Sequence, residues 1–219
     1  MRILKLNLIK KNERVKVSIP GRFSVYNALA AIKVAMLFGA SSETIKEALE
    51  DVKVLGRSEL VDNKLDLKIM IDYAHTPDSL ENILKTVEQY TSGKVICVFG
   101  CGGDRDKAKR AVMGEISGRL ATYTIITSDN PRTEVPEEII NEIEKGIKKT
   151  KGNYECIVDR KEAIKKAISM EGKNDIVIIA GKGHEMYQEV NGENLPFDER
   201  EIIKEIIEEI SKEAKKKKK

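Results

Sequence analysis

From about residue 58 onward, short hydrophobic runs alternate with amphipathic stretches. Short β-branched runs bounded by turn residues are typical of buried strands. We therefore predict five strands, over residues 67–73, 94–100, 123–128, 154–159 and 175–181. The intervening stretches repeat their apolar positions at helical spacing. This alternation predicts an α/β fold, a Rossmann-like open and mostly parallel sheet with helices on both faces.

The first 55 residues have a different pattern. Alternating segments at 2–9 and 14–19 predict two strands, and residues 24–38 predict a helix that is apolar on almost every side. Strands need partners, and a helix of this kind is usually buried. We therefore expect residues 1–55 to be the end of one domain whose beginning is absent, and residues 56–212 to form a second domain.

Composition narrows the classes of function. Charged residues are 34% and hydrophobic residues 41% of the chain, as in ordinary soluble proteins. The net charge of +3 depends on the five terminal lysines, because without them it is 3 − 5 = −2. We therefore expect residues 213–219 to be a disordered tail, and we expect no binding to nucleic acid.

Targeting signals and cysteine spacing give further expectations. No apolar run is long enough to span a membrane, and no signal peptide opens the chain. Three scattered cysteines and two histidines fit no zinc-binding spacing. Because reduced thiols are normal in the cytoplasm, we expect a cytoplasmic protein without membrane contact or a bound structural metal.

Unusual polar residues follow four of the predicted strands. Ligands of open α/β sheets bind beyond the carboxyl ends of the strands. The stretches at these ends are 72–75, 100–105, 129–132 and 181–185, and both histidines of the chain are in this set. Four such loops on one rim predict a binding site there.

The stretch Asp129-Asn130-Pro131-Arg132 is the most informative of the four. Pro131 stiffens the loop, and the planar guanidinium of Arg132 suits a carboxylate or a phosphate. The carboxylate of Asp129 can accept an ammonium. Together these groups suit a zwitterion, such as one end of an amino acid. The alternative is a turn in which Asp129 and Arg132 pair with each other.

The other loops are less specific. Gly100, Gly102 and Gly103 could bring backbone amides close to an anion, or could form only a tight turn. They match neither a Walker phosphate loop nor a dinucleotide fingerprint. His75 beside Asp72 could be a catalytic pair, but no nucleophile elbow accompanies it, so a binding role is favoured.

Six ordered segments together resemble a known family. They are Gly21-Arg-Phe-Ser-Val-Tyr-Asn27, Gly56-Arg57-Ser-Glu59, Asp72-Tyr-Ala-His-Thr-Pro-Asp78, Gly100-Cys-Gly-Gly-Asp-Arg105, Asp129-Asn-Pro-Arg132 and Gly181-Lys-Gly-His-Glu185. This order is similar to that of the Mur ligases of the MurE type. The resemblance implies an ATP-dependent amide ligase of peptidoglycan synthesis, which extends UDP-N-acetylmuramoyl-L-alanyl-D-glutamate through an acyl phosphate.

The resemblance also implies roles for individual residues. Asn27 would contact adenine, Arg57 and Asp72 would hold the phosphates and ribose of ATP, and Tyr73 and His75 would lie nearby. The incoming amino acid would be held by Arg105, Asp129, Asn130, Pro131, Arg132, Gly181 and Glu185. The Asp-Asn-Pro-Arg loop implies meso-diaminopimelate as that amino acid. No residue is assigned to catalysis or to a metal.

Departures from the family limit what the chain is expected to do alone. The phosphate loop, the magnesium ligands and the carbamylated lysine of the family's central domain do not precede Met1. Residues 1–55 would then be the C-terminal remnant of the central ATP-binding domain, and residues 56–212 the C-terminal domain. We expect a monomer that does not ligate alone, with Mg²⁺ bound mainly by the missing part. The alternative is a non-catalytic amino-acid- or nucleotide-binding module.

Overall fold

The computed structural model describes residues 2–8, 11–63, 65, 67–170, 172 and 174–217. The chain opens with two strands and two helices, β1 (Arg2–Leu8), β2 (Lys11–Val17), α1 (Arg22–Leu37) and α2 (Ser42–Asp51). Strands β1 and β2 pair antiparallel. The bounds of the strand predicted at 14–19 were wrong, because β2 begins at Lys11 and ends at Val17.

The remaining elements follow the predicted alternation of strands and helices. They are β3 (Glu59–Val61), β4 (Lys68–Asp72), α3 (Pro77–Glu88), β5 (Val95–Phe99), α4 (Ala108–Leu120), β6 (Tyr123–Ile126), α5 (Pro136–Ile147), β7 (Asn153–Cys156), α6 (Arg160–Ser169), β8 (Ile176–Ala180), β9 (Tyr187–Val190), β10 (Glu193–Pro196) and α7 (Glu199–Lys217). The five predicted strands are confirmed as β4 to β8. Strand β3 and the β9–β10 hairpin were not predicted.

The six-stranded sheet has the order β3-β4-β8-β5-β6-β7. Strand β3 pairs antiparallel with β4, and all other neighbours are parallel. This confirms the prediction of a mostly parallel α/β sheet. Because β4, β5, β6 and β8 run in one direction, the loops after them leave the sheet at the same edge.

Two hydrophobic clusters cover the two faces of the sheet. One face packs against α3, α4 and α5, with Leu84 and Ile143 among its fully buried residues. The other face packs against α6 and α7, with Ile164 and Ile203 fully buried. Alternate residues of the central strands point to opposite faces, so nearly every side chain of β5 and β8 is buried.

Local signals explain where individual helices begin and end. The Thr76 side chain accepts from the backbone N–H of Ser79 at 3.3 Å, and the Ser79 side chain accepts from the N–H of Thr76 at 3.0 Å. Pro77 follows in the first turn, where its missing N–H costs nothing. Helix α7 extends to Lys217, so the tail predicted to be disordered from residue 213 is helical up to that point. Lys218 and Lys219 lie outside the described residues.

Candidate functional site

A cleft of about 680 Å³ opens at the carboxyl edge of the sheet. Its volume is typical of small-molecule sites. Eight of the predicted site residues line it: Tyr73, His75, Arg105, Asp129, Asn130, Arg132, Gly181 and Glu185. All four predicted strand-end loops thus contribute residues to one cleft, while the binding roles of these residues stay predictions.

The glycines after β5 let two loops pack backbone against backbone. The N–H of Gly103 donates to the carbonyl of Asn130 at 2.9 Å. A Cβ on Gly103 would lie 1.9 Å from the carbonyl oxygen of Pro131, and one on Gly100 would lie 2.2 Å from that of Thr127. These contacts support the tight-turn interpretation of the glycines. Pro131 itself is buried beneath the cleft rather than lining it.

A buried lysine orients the polar side chains on the floor of the cleft. The ammonium of Lys182, whose side chain is fully buried, donates to Asn130 Oδ1 at 2.8 Å and lies 3.4 Å from Glu185 Oε2. Asn130 Nδ2 then donates to the same Glu185 carboxylate at 2.9 Å. Burial lowers the pKa of Lys182, while the nearby carboxylate of Asp129 acts in the opposite direction.

A second buried ion pair lies under Asp129. Arg160 Nε contacts Glu199 Oε1 at 2.8 Å, and both side chains are fully buried at the starts of α6 and α7. Arg160 also donates to the carbonyls of Ser128 and Ala180, at the ends of β6 and β8. Its Nη1 lies 4.0 Å from Asp129 Oδ2. Burial raises the pKa of Glu199, and Arg160 partly offsets this shift.

Arg132 pairs with the hairpin and not with Asp129. Its Nε lies 2.8 Å from Glu189 Oε2, and its Nη1 donates to the carbonyl of Gly103 at 2.8 Å. The alternative of an Asp129–Arg132 turn pair is therefore wrong. Arg132 has a left-handed φ of 52°, which backbone hydrogen bonds to Glu189 and Asn191 of the hairpin hold in place.

A cluster behind the cleft anchors the Gly100–Arg105 loop. The fully buried guanidinium of Arg110 makes two contacts of 2.9 Å with Glu134 and one of 2.8 Å with Glu142. Glu134 also accepts from the N–H of Asp104 at 2.7 Å. The hydrogen bonds from Arg110 and Asp104 hold the pKa of Glu134 far below its usual range. Arg105 itself is exposed and donates to the carbonyl of Asp104.

Tyr73 is the centre of a ring cluster at one end of the cleft. The guanidinium of Arg57 lies 4.6 Å from its ring centroid, and the rings of His75 and His184 lie 4.5 and 5.0 Å away. The Tyr73 hydroxyl contacts Glu185 Oε1 at 3.5 Å. Burial and the Glu185 carboxylate both raise the pKa of Tyr73. His75 Nδ1 contacts the carbonyl of Tyr73 at 2.7 Å and makes no hydrogen bond with Asp72, so a His75–Asp72 catalytic pair is not formed.

The residues predicted to bind ATP are divided between two clefts. Asn27 and Arg57 line a second, more apolar cleft of about 570 Å³, next to α1 and β2. Tyr73 and His75 line the first cleft. Asp72 lines neither of them, because its carboxylate is buried and accepts from the N–H of Ser58 at 2.7 Å. Burial raises the pKa of Asp72, against the effect of that hydrogen bond.

The described residues also bear on metal binding and on membrane spanning. Among the described residues, no three His, Cys, Asp or Glu side chains lie close enough together to hold a metal ion. None of the helices in the described part of the chain combines the length and apolar character needed to cross a membrane.

Comparison with known proteins decides the family. The family model described as "Mur ligase, glutamate ligase domain" matches residues 56–183, more than half of the chain. The chain belongs to the Mur ligase family. The match to the family model begins at Gly56, next to the boundary predicted near residue 55.

Related ligases match almost the whole chain but extend well beyond it. The UDP-N-acetylmuramoyl-L-alanyl-D-glutamate–2,6-diaminopimelate ligase of Caldanaerobacter subterraneus subsp. tengcongensis is 52% identical over 208 residues. That match covers 95% of this chain and 43% of the relative. A ligase of the same name from Clostridium botulinum is 47% identical, over 94% of this chain and 44% of the relative. The chain thus spans about two fifths of these Mur ligases.

Solved structures give the same family and fold. A UDP-N-acetylmuramoyl-L-alanyl-D-glutamate–2,6-diaminopimelate ligase superimposes with a TM-score of 0.70 and 37% identity. It aligns with 93% of this chain, which covers 42% of that structure. UDP-N-acetylmuramate-alanine ligase MurC from Thermotoga maritima has a TM-score of 0.68, over 94% of this chain and 41% of that structure. At 22% identity, this second likeness shows the fold alone.

The main residues that sequence reasoning missed are charged groups that act on other side chains. Lys182 stands between two glycines at a strand end, and its type and position were a usable signal. Arg160 and Glu199 are 39 residues apart, and each reads as an ordinary charged residue at the start of a helix. Glu189 belongs to a hairpin whose polar sequence did not predict strands.

Proposed function

We propose that this chain supplies the amino-acid site and part of the ATP site of an ATP-dependent ligase. The ligase would join meso-diaminopimelate to UDP-N-acetylmuramoyl-L-alanyl-D-glutamate. One observation carries the proposal: the carboxylates of Asp129 and Glu185 and the guanidinium of Arg132 line the same cleft. A ligand with an ammonium at one position and a carboxylate at another complements such a cleft.

The balance of buried charge favours an ammonium near Asp129 and Glu185. The connected cluster holds three carboxylates, of Asp129, Glu185 and Glu199, and two cations, Arg160 and Lys182. With all five groups ionised, the cluster carries one surplus negative charge. Asp129 and Glu185 line the cleft, whereas Glu199 is fully buried. The ammonium of a bound amino acid would balance the surplus, because buried charges are stable when they are paired.

Arg132 is suited to select the distal end of the amino acid. Its Nη2 makes no hydrogen bond within the described part of the chain, and its side chain retains 19% exposure. Meso-diaminopimelate has a carboxylate at its distal end, where lysine has only hydrogens. A guanidinium–carboxylate contact would therefore form with the first ligand and not with the second.

ATP would bind beside the second cleft, at Asn27 and Arg57. The apolar lining of this cleft suits a purine ring, and the exposed guanidinium of Arg57 suits a phosphate. Arg57 lies over the ring of Tyr73, which lines the amino-acid cleft. The two clefts would thus be adjacent across this pair of side chains. Asp72 would act through Ser58, whose backbone it holds, and not by direct contact with ribose.

The proposed chemistry is activation of a carboxylate followed by amide formation. The γ-phosphoryl group of ATP passes to the D-glutamate carboxylate, and ADP leaves. The amine of meso-diaminopimelate then attacks the acyl carbon, phosphate leaves, and the amine loses a proton. Residues of this chain would orient the amine and exclude water, which is a positional contribution. Mg²⁺ would supply charge neutralisation in the phosphoryl transfer.

Ligand affinities test the amino-acid part of the proposal. Calorimetry should compare meso-diaminopimelate and L-lysine for the unaltered chain, Arg132→Ala and Arg132→Lys. Loss of the charge-assisted contact should weaken meso-diaminopimelate by about 1.5–3 kcal/mol, roughly ten- to a hundredfold, with little change for lysine. Arg119→Ala is the matched control, because Arg119 is exposed on α4 outside the cleft. Equal weakening of both ligands by Arg132→Ala would show a structural role for Arg132.

Turnover tests the ligase part. This chain should replace the matching 208 residues of the Caldanaerobacter relative, and ADP formation should be measured with ATP, Mg²⁺, the UDP-dipeptide and meso-diaminopimelate. We expect ADP formation that depends on meso-diaminopimelate in the chimera, and none from the chain alone. A folded chimera that binds the amino acid but releases no ADP would favour a binding module without turnover.

A further inference from the structure

The β9–β10 hairpin holds Glu189 against the loop that contains Arg132. The N–H of Arg132 donates to the carbonyl of Glu189 at 3.0 Å, and the N–H of Asn191 donates to the carbonyl of Arg132 at 2.8 Å. The N–H of Glu189 donates to Asn130 Oδ1 at 3.0 Å. These contacts fix the backbone of Glu189 on both sides of its side chain. The position of its carboxylate is therefore set by the fold.

The carboxylate of Glu189 neutralises much of the charge of Arg132. Glu189 Oε2 lies 2.8 Å from Arg132 Nε, and the two side chains are 30% and 19% exposed. Solvent screening is incomplete at such exposure, so each charge changes the field that a neighbouring ligand meets. Arg132 lines the amino-acid cleft, and Glu189 stands behind it outside the lining. A ligand at Arg132 would therefore meet the combined field of both groups.

We propose that Glu189 is a specificity-determining positioning residue for the distal end of the amino acid. It holds the guanidinium of Arg132 at the cleft, and its negative charge reduces the preference of Arg132 for a carboxylate over an ammonium. This inference rests on the proposed amino-acid site. Its physical basis is that specificity is a difference of affinities, and an opposite charge beside Arg132 acts with opposite sign on anionic and cationic ligand groups.

Glu189→Gln separates the charge of Glu189 from its positioning role. Glutamine keeps an oxygen that accepts from Arg132 Nε, and the backbone contacts of the hairpin do not depend on the side chain. The variant therefore removes one negative charge with little change of shape. Glu193→Gln is the matched control, because Glu193 is exposed on β10 and has no ion pair with any described residue.

Three ligands that differ only in their distal charges provide the test. Meso-diaminopimelate has a distal carboxylate and a distal ammonium, 2-aminopimelate has the carboxylate alone, and L-lysine has the ammonium alone. For Glu189→Gln, calorimetry should show tighter binding of 2-aminopimelate and weaker binding of lysine, each by about two- to fivefold. The change for meso-diaminopimelate should lie between them. Glu193→Gln should leave the three affinities unchanged.

The outcomes distinguish this inference from the proposed function. If Glu189→Gln changes all three affinities by the same factor, or changes none, Glu189 only supports the hairpin and the inference is overturned while the amino-acid site stands. If the unaltered chain binds none of the three ligands, both the site and the inference are overturned. A rise in the ratio of 2-aminopimelate to lysine affinity, confined to Glu189→Gln, supports the inference.

Discussion

The sheet domain and the opening segment, residues 1–55, differ in how they cover their own hydrophobic residues. Both faces of the sheet are covered by helices of the same domain, and β5 and β8 are completely buried. In the opening segment, α1 is mostly apolar in sequence but buries only Ser24, Ala28 and Ile32. Leu37 and Phe38 are 77% and 88% exposed. An apolar run therefore predicts where burial is favourable, while the neighbours present decide whether it occurs.

The difference extends to the two clefts. The polar cleft is built entirely from the sheet domain, from its loops and from the N-terminal parts of α3 and α4, and hydrogen bonds hold Asn130 and Glu185 in place. The apolar cleft lies mainly against the opening segment. Arg57 lines it from the connection, residues 52–58, which leads from α2 to β3 of the sheet domain. We therefore expect substitutions in the sheet domain to affect stability strongly, and substitutions on the exposed face of α1 to affect it little.

The largest expected effect is a cavity in the sheet domain. Ile164→Ala removes a fully buried side chain between α6 and the sheet, and should lower the free energy of unfolding by about 2–5 kcal/mol. Leu37→Ala, at the exposed end of α1, should change it by less than about 0.5 kcal/mol. Urea denaturation followed by circular dichroism measures both. If Leu37→Ala lowers the free energy of unfolding nearly as much as Ile164→Ala does, the contrast between the two regions is contradicted.

A smaller effect is expected at the connection between the regions. Gly56 has a φ of 67°, and a Cβ there would lie 2.2 Å from the backbone of Gly183. Gly56→Ala should cost about 2–4 kcal/mol, from left-handed strain and from a clash that backbone atoms cannot relieve. Gly39→Ala is the control, since Gly39 has a φ of 83° with open space around it.

The two glycines separate strain from crowding. Gly39→Ala carries only the cost of the positive φ, roughly 1–2 kcal/mol. The additional loss of unfolding free energy in Gly56→Ala, compared with Gly39→Ala, then measures how tightly the connection packs on the Gly181–Glu185 loop. Thermal unfolding of both variants gives the comparison, and equal losses would mean that the connection tolerates a methyl group beside Gly183.

Sequence patterns predicted the strands better than the interactions between loops. Strands β4, β5, β6 and β8 were found because β-branched runs combine high strand propensity with burial, and both signals are local. The β9–β10 hairpin was missed because its residues, such as Gln188 and Glu193, are polar and partly or fully exposed. Its role depends on contacts with the distant Arg132, which no short window of sequence contains.

The candidate site shows the same limit. The motif positions predicted which residues gather at one rim, because parallel strands end at the same edge. They did not predict that Arg132 pairs with Glu189, or that Lys182 orients Asn130. Such pairings depend on side-chain geometry across loops that are 50 or more residues apart. The roles of Asn27, Arg57 and the other predicted contacts with ATP stay predictions.

The smallest expected effect concerns the pH dependence of the connection. Asp72, at the end of β4, is buried and accepts from the N–H of Ser58, in the connection to the opening segment. Burial raises the pKa of Asp72 above its usual range. The folded chain therefore holds this proton more tightly than the unfolded chain. In the unfolded chain, the pKa of an aspartate side chain is about 3.9. The contribution of Asp72 to stability must then fall as the pH rises from this value through the higher pKa that Asp72 has in the folded chain.

Asp72→Asn removes this titration and keeps an oxygen that can accept from Ser58. The difference in unfolding free energy between the variant and the unaltered chain should shift in favour of the variant as pH rises above about 4. Urea denaturation at several pH values between about 3.5 and 7 measures it, and taking the difference cancels the titration of all other groups. Asp62→Asn is the control, because Asp62 is exposed. If the difference for Asp72→Asn is flat with pH, or falls as pH rises, the buried carboxylate does not weaken the connection.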